Sequence, residues 1–138
     1  MRKSYSEIRV IYADTDAMGI AYHGNYAKWF EIGRTEYLRQ MGYPYSVLEK
    51  DGLWLPVRTL TCNYKAPAVY DDVLKIATWV GKLGGASIEM NYEISRKATD
   101  DILVTGMTGH AVTDEKLKPI RLQKQFPEVH AKILENME

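Results

Sequence analysis

The chain of 138 residues predicts an α+β domain in which a curved antiparallel sheet of about five strands wraps one long helix. Three observations carry that reading. Tyr26, Phe30, Gly33, Tyr37 and Met41 form one apolar stripe at helical spacing, with Trp29 beside it. After this helix come four segments of β character, joined by short turns rich in glycine and aspartate. The length and the 46% apolar content suit one domain over residues 1–138, with a real core and no need of disulfides. One helix cannot cover both faces of such a sheet, so the open face and edge call for a partner subunit.

The elements follow in order. Residues 5–13 read as a first strand, with Ile8, Val10 and Tyr12 to one side and Glu7, Arg9 and Ile11 to the other. Residues 14–22 form a loop broken by Gly19. The long helix is expected over residues 23–41. Gly33 within it costs about 1 kcal/mol relative to alanine, which close approach of the sheet would justify. Gly42 stops the helix and Pro44 prevents its continuation. Residues 46–50 suit a short second helix. Residues 58–66 place Leu60, Cys62, Tyr64 and Ala66 on one strand face. Residues 73–80 are mostly apolar, as for a strand covered on both faces, and residues 81–85 are a turn. Residues 86–96 alternate cleanly, with Ile88, Met90, Tyr92 and Ile94 against Glu89, Asn91, Glu93 and Ser95. Residues 102–113 form the last strand, and Gly106 and Gly109 within it point to curvature or close backbone contact. Residues 127–136 suit a terminal helix.

Composition excludes several classes. Eighteen basic and 18 acidic residues give no net charge, so no global field favours nucleic acid or an anionic membrane. The single cysteine, Cys62, cannot form an internal disulfide, which favours a reducing compartment. The first residues are charged, without the apolar core of a signal peptide, and no stretch approaches the roughly 18 apolar residues of a membrane span. The chain reads as cytoplasmic.

The chemistry concentrates in residues 12–42. Two carboxylates, a glycine and a histidine (Asp14, Asp16, Gly19, His23) lie in a loop that feeds a helix start. That start offers unpaired N–H groups and partial positive charge, and the loop offers a base or nucleophile. An aspartate before glycine is equally an ordinary Asx-turn residue, so chemistry alone leaves Asp16 open. Asp14, two residues away in an extended segment, would face the opposite side and is read as structural.

The motif Thr15-Asp16-Ala17-Met18-Gly19-Ile20-Ala21-Tyr22-His23, with Asn25-Tyr26 and the helix segment from Phe30-Glu31 to Arg34-Thr35-Glu36, resembles the hotdog-fold acyl-CoA thioesterases. The likeness is to the branch holding the 4-hydroxybenzoyl-CoA and Tol–Pal-associated enzymes. Tyr64-Lys65-Ala66-Pro67-Ala68, Asp71-Asp72 and Gly85-Ala86-Ser87 are similar to its downstream motifs, and the match spans the chain. The sequence departs from the family at Ala21, where a branched residue is more usual, and at the doubled Gly84-Gly85. The resemblance implies hydrolysis of an acyl-CoA thioester, with Asp16 as catalytic carboxylate. It also implies that the backbone N–H at His23 polarises the thioester carbonyl. It implies no metal or other cofactor, and a homodimer or homotetramer with sites at the subunit interface.

Gly19 then permits the loop turn, and Tyr22, Asn25 and Tyr26 are candidates for orienting the loop or lining the acyl pocket. Lys82 and Arg121 are candidates for the coenzyme A phosphates, ahead of Arg96, Lys97 and Lys124. Glu31 is the alternative carboxylate, since some hotdog enzymes place theirs on the helix, although it also suits pairing with Arg34. Cys62 reads as a buried, inert thiol, and Ser87 has no partner set for serine hydrolysis. The three histidines lie in different elements, which argues against zinc. Two rival readings remain: a module that binds acyl-CoA or acyl-carrier protein without turnover, and a hotdog hydroxyacyl dehydratase. A free-thiol assay separates them.

Overall fold

A computed structural model of the chain describes residues 1–138. Five strands, β1 (Ser4–Arg9), β2 (Val57–Tyr64), β3 (Val73–Leu83), β4 (Ser87–Arg96) and β5 (Ile102–Ala111), pair antiparallel in the order β1-β3-β4-β5-β2. The helices are α1 (Asn25–Met41), α2 (Tyr45–Lys50), α3 (Leu122–Gln125) and α4 (Pro127–Met137). None is long and apolar enough to cross a membrane.

The core forms where the helical stripe meets the alternating strands. Tyr26, Trp29, Phe30, Gly33, Tyr37 and Met41 of α1 are all buried. They meet Leu74, Ile76 and Val80 of β3 and Ile88, Met90, Tyr92 and Ile94 of β4 in one apolar cluster. The Phe30 and Tyr92 rings stack 4.3 Å apart. A Cβ on Gly33 would lie 2.5 Å from Thr78 Oγ1 and 2.8 Å from Ile76 Cγ2, so the glycine is what lets the helix sit down on β3. Gly106 of β5 does the same for Phe30, whose ring would be 2.3 Å from an added Cβ.

Several boundaries differ from the sequence reading. β1 stops at Arg9, and Tyr12–Asp14 form a tight 3₁₀ turn instead of continuing the strand, leaving Tyr12 75% exposed. The long helix starts at Asn25, with Gly24 as its N-cap, so His23 precedes the helix and does not open it. β3 runs through residues 81–83, with its register shifting between Val80 and Lys82, and the turn falls later. α3 was not anticipated; its four residues carry no periodic stripe. The inward face of β2 was expected to be buried, yet Leu60 is 45% and Tyr64 55% exposed. β2 is an edge strand, paired on one side alone with β5; α1 meets it at Tyr64, whose ring lies 5.5 Å from that of Tyr26. Cys62 is accordingly half-buried, with burial pushing its thiol above the ordinary value.

Candidate functional site

The loop between β1 and α1 is built on Asp14. Its side chain is buried; Oδ2 accepts the Ile11 N–H at 3.0 Å and Oδ1 accepts from Lys28 Nζ at 3.0 Å. Its backbone carbonyl accepts the Tyr22 N–H at 2.8 Å and Asn25 Nδ2 at 2.7 Å. Asp14 thus joins both ends of the loop to the helix. Asn25 spends its side-chain amide on that join, orienting the loop and not lining a cavity.

Asp16 sits half-buried at the next turn. Its Oδ1 accepts the Met18 N–H at 2.9 Å, an Asx-turn. Its backbone N–H donates to Ile20 O at 2.9 Å, and the Gly19 N–H donates to Asp16 O at 3.0 Å. Gly19 has φ of +78°, a left-handed conformation that glycine takes without strain. Thr15 and Ala21 pair across the loop, so residues 15–16 lie against residues 20–21. One carboxylate oxygen of Asp16 is held by the turn, and Oδ2 makes no hydrogen bond within the chain.

At the helix start, the His23 and Gly24 N–H groups donate to no group of the chain. They add to the unpaired donors every helix N-terminus carries, where the dipole also places positive potential. His23 is held by its carbonyl, which accepts from Tyr64 Oη at 3.2 Å. The exposed Tyr22 ring lies 4.4 Å from the imidazole. Next to them opens a cavity of about 310 Å³, walled by Ile20, His23, Tyr26, Tyr64, Ala66 and Pro67. Tyr26 is 3% exposed and burial raises its phenol pKa. Asp16, Gly19, Tyr22 and Asn25 do not wall this cavity.

Lys82 and Arg121 lie elsewhere. Lys82 borders a cavity of about 660 Å³ with Arg58, Ser87 and Glu89. Arg121 borders one of about 440 Å³ with Lys124 and His130, against Gly84 and Gly85. The two cavities share Leu83 and Gly84, so they adjoin at the end of β3. The Asp16 loop instead bridges to Val69, just before the start of β3. At about 3.3 Å per residue, ten steps along β3 separate the two groups by roughly 30 Å. Within one chain, therefore, Asp16 and His23 share the loop between β1 and α1, and the two cations form a second group.

Glu31 is exposed on α1, 3.8 Å from Arg34, and borders a third cavity of about 260 Å³ with Arg34, Thr35 and His110. His110 was not singled out from sequence. It is 2% exposed; Nδ1 donates to Leu55 O at 2.9 Å, leaving Nε2 to accept from Thr108 Oγ1 at 2.7 Å, which in turn lies 2.6 Å from Tyr92 Oη. Burial, and secondarily the Arg34 charge, lower its pKa, so it is neutral. Nothing in the local pattern marks it as inward, since Thr108 and His110 read as the polar side of β5. Arg96 and Lys97 are removed from the phosphate candidates: Arg96 is bonded to Asp72, Asp101 and the Pro67 carbonyl, and Lys97 is paired with Glu7.

Residues 18–102 match the family described as the thioesterase superfamily. The chain is 37% identical over 131 residues to YneP of Bacillus subtilis, covering 94% of each chain. It is 36% identical over 120 residues to a Haemophilus influenzae protein named acyl-CoA thioesterase YbgC, covering 86% of this chain and 87% of that one. The solved structure of a DHNA-CoA thioesterase from Staphylococcus aureus superposes with a TM-score of 0.93 at 38% identity, covering 99% of this chain and 92% of the other.

Proposed function

This chain belongs to the thioesterase superfamily and has the hotdog fold, and we propose that it hydrolyses an acyl-CoA thioester to a carboxylic acid and coenzyme A. The observation that carries the mechanism is the division of labour in the 14–24 loop. Asp14 spends its carboxylate on holding the loop, whereas Asp16 keeps Oδ2 free and the His23 and Gly24 N–H groups keep their protons unshared. Asp16 acts as nucleophile, or as base for an attacking water, on the thioester carbonyl. The His23 and Gly24 donors, helped by the α1 dipole, receive the negative charge that develops on the carbonyl oxygen. The carbon–sulfur bond then breaks: on the base route the proton that Asp16 takes from water passes to the departing sulfur, and on the nucleophile route water hydrolyses the acyl–Asp16 anhydride and supplies that proton, so that coenzyme A leaves as the thiol. No metal or redox group is required by this sequence of steps.

The acyl group enters the cavity beside His23, with Tyr22 and Tyr26 flanking the helix start and Gly19 shaping the turn. Lys82 and Arg121 meet the phosphates of coenzyme A, joined by Lys124 and His130 around the Gly84-Gly85 backbone. None of these four is engaged in an ion pair within the chain. The roughly 30 Å along β3 between them and Asp16 is too long for one chain to serve both ends of one substrate. The active form is therefore a homodimer, or a tetramer built from it, in which the cations of one copy approach the Asp16 loop of another. The exposed inner face of the β2 edge supports such an assembly.

The test is release of free thiol across a panel of acyl-CoAs and acyl-carrier proteins, together with light scattering. Hydrolysis predicts thiol and carboxylic acid in equal amounts. An altered acyl chain without thiol release would mean dehydration, and tight binding with neither product would mean a carrier module. A monomer that retains full turnover at micromolar concentration would overturn the shared site.

A further inference from the structure

We infer that Arg96 is a positioning residue whose guanidinium locks the 67–72 segment and through it sets the placement of the Asp16 turn. The inference rests on the reading of Asp16 as the catalytic carboxylate. Arg96 ends β4, and its donors point three ways. Nε donates to Asp72 Oδ2 at 3.0 Å, Nη2 to the Pro67 carbonyl at 2.8 Å, and Nη1 to Asp101 Oδ2 at 2.8 Å. The same Asp72 Oδ2 accepts the Val69 N–H at 2.9 Å. One side chain therefore grips both ends of the segment between β2 and β3.

That segment is what the Asp16 loop leans on. The Ala68 carbonyl accepts the Ala21 N–H at 2.9 Å, and Val69 pairs with Ile20. The Ile20 carbonyl accepts the Asp16 N–H at 2.9 Å. Hydrogen bonds thus run without a gap from the guanidinium, through Pro67 and Asp72, through the 68–69 and 20–21 backbones, to Asp16. Ala68 is fully buried and Ala21 is 6% exposed, so the joint lies in the core. Two alanines carry no long side chain to hold the joint in place. Its position follows the backbone, and the backbone follows the clamp. The Arg96 and Asp72 side chains are 22% and 16% exposed, so solvent weakens this pair far less than an open surface ion pair.

A purely structural staple predicts lower thermal stability with unchanged turnover per folded molecule. A positioning role predicts slower turnover at saturating substrate with KM retained, because the coenzyme A end of the substrate is held elsewhere. Arg96→Lys separates the two. Lysine keeps the charge but offers a point ammonium in place of the planar fork, so the three contacts cannot be made together. A carboxylate displaced by about 1 Å loses up to about 10²-fold in rate.

Wild-type, Arg96→Lys and Asp16→Asn proteins are compared in free-thiol release, using the acyl-CoA that the wild-type protein turns over fastest. Deuterium exchange of residues 14–23 is followed in the same preparations without substrate. The expected result for Arg96→Lys is kcat lower by at least about tenfold, KM within about twofold, and faster exchange across residues 14–23. If Arg96→Lys does not fold, Asp72→Asn takes its place with the same expected directions, since it leaves an acceptor for Arg96 but no charge. Unchanged kcat, or unchanged exchange across residues 14–23, overturns the clamp. Wild-type turnover by Asp16→Asn overturns the carboxylate assignment alone, so the two failures are told apart.

Discussion

Replacing each loop aspartate by asparagine should separate stability from chemistry. In Asp16→Asn the side-chain oxygen can still accept the Met18 N–H at the 2.9 Å seen for Oδ1, and asparagine suits the same turn. The stability change should stay within about 0.5 kcal/mol. What disappears is the free anionic oxygen. Loss of a nucleophile or general base costs about 10²–10⁴-fold in rate, or roughly 3–5 kcal/mol of barrier. Asp14→Asn should behave in the opposite way. Its carboxylate receives the Ile11 N–H and the Lys28 ammonium, both at 3.0 Å. Asparagine has one acceptor oxygen for these two donors, and its NH₂ then faces a donor. A hydrogen bond to a charged group contributes about 1.5–3 kcal/mol, and Lys28 is 52% exposed, so solvent discounts that value. A loss of about 1–2 kcal/mol lowers Tm by roughly 3–8 °C for a chain of this length. The assays are thermal melting and thiol release per folded enzyme, measured below both transitions. If Asp14→Asn abolishes turnover at an unchanged Tm while Asp16→Asn remains active, the two roles are reversed and the reasoning fails.

Other consequences can be checked alongside. Gly33→Ala gains about 1 kcal/mol of helix propensity but overpacks Thr78 and Ile76, both fully buried, at about 1–3 kcal/mol; Tm should fall, and a rise would mean that β3 yields easily. Glu31→Gln should leave turnover within about threefold of wild type if Asp16 is the reacting carboxylate as proposed; loss of turnover would move the catalytic carboxylate onto α1. His110 is held neutral below the ordinary histidine pKa of 6.5, so below that pH the unfolded chain binds the extra proton first. Stability therefore falls as pH drops from about 6.5 towards the lower folded value, by at most about 1.4 kcal/mol per pH unit from this one group. The urea midpoint of His110→Gln should fall less steeply over that window, and parallel slopes would mean that His110 is protonated in the fold.

Much of the fold was legible because it depends on local periodicity. The α1 stripe and the β4 alternation name their buried faces directly, and Gly33 announced close approach of the sheet before its neighbours were known. The candidate site was legible in part. The 15–23 motif pointed to the loop, and turn chemistry anticipated the Asx-turn at Asp16. The start of the long helix was placed two residues too early, at His23 instead of Asn25, since Gly24 as a cap carries no side-chain signal. The different employment of Asp14 and Asp16 was legible only as an argument about an extended segment, and a 3₁₀ turn replaces that segment.

Sequence alone determined the types of the main elements and the helix face that enters the core, and it pointed to the 14–24 loop as the candidate site. Each of these is settled by neighbours within a few turns of chain. Tertiary structure decided the rest. The pattern of β2 looks like that of a covered strand, and only the order β1-β3-β4-β5-β2 puts it at an open edge. Arg96 looks like a solvated cation, and only the approach of β4 to residues 67–72 turns it into a three-way clamp. Lys82 and Arg121 look like companions of Asp16, and only the length of β3 sets them apart. The physical reason is common to all three. Whether a polar or apolar group meets a partner or water depends on segments far away in the chain, and no local pattern encodes which segments those are.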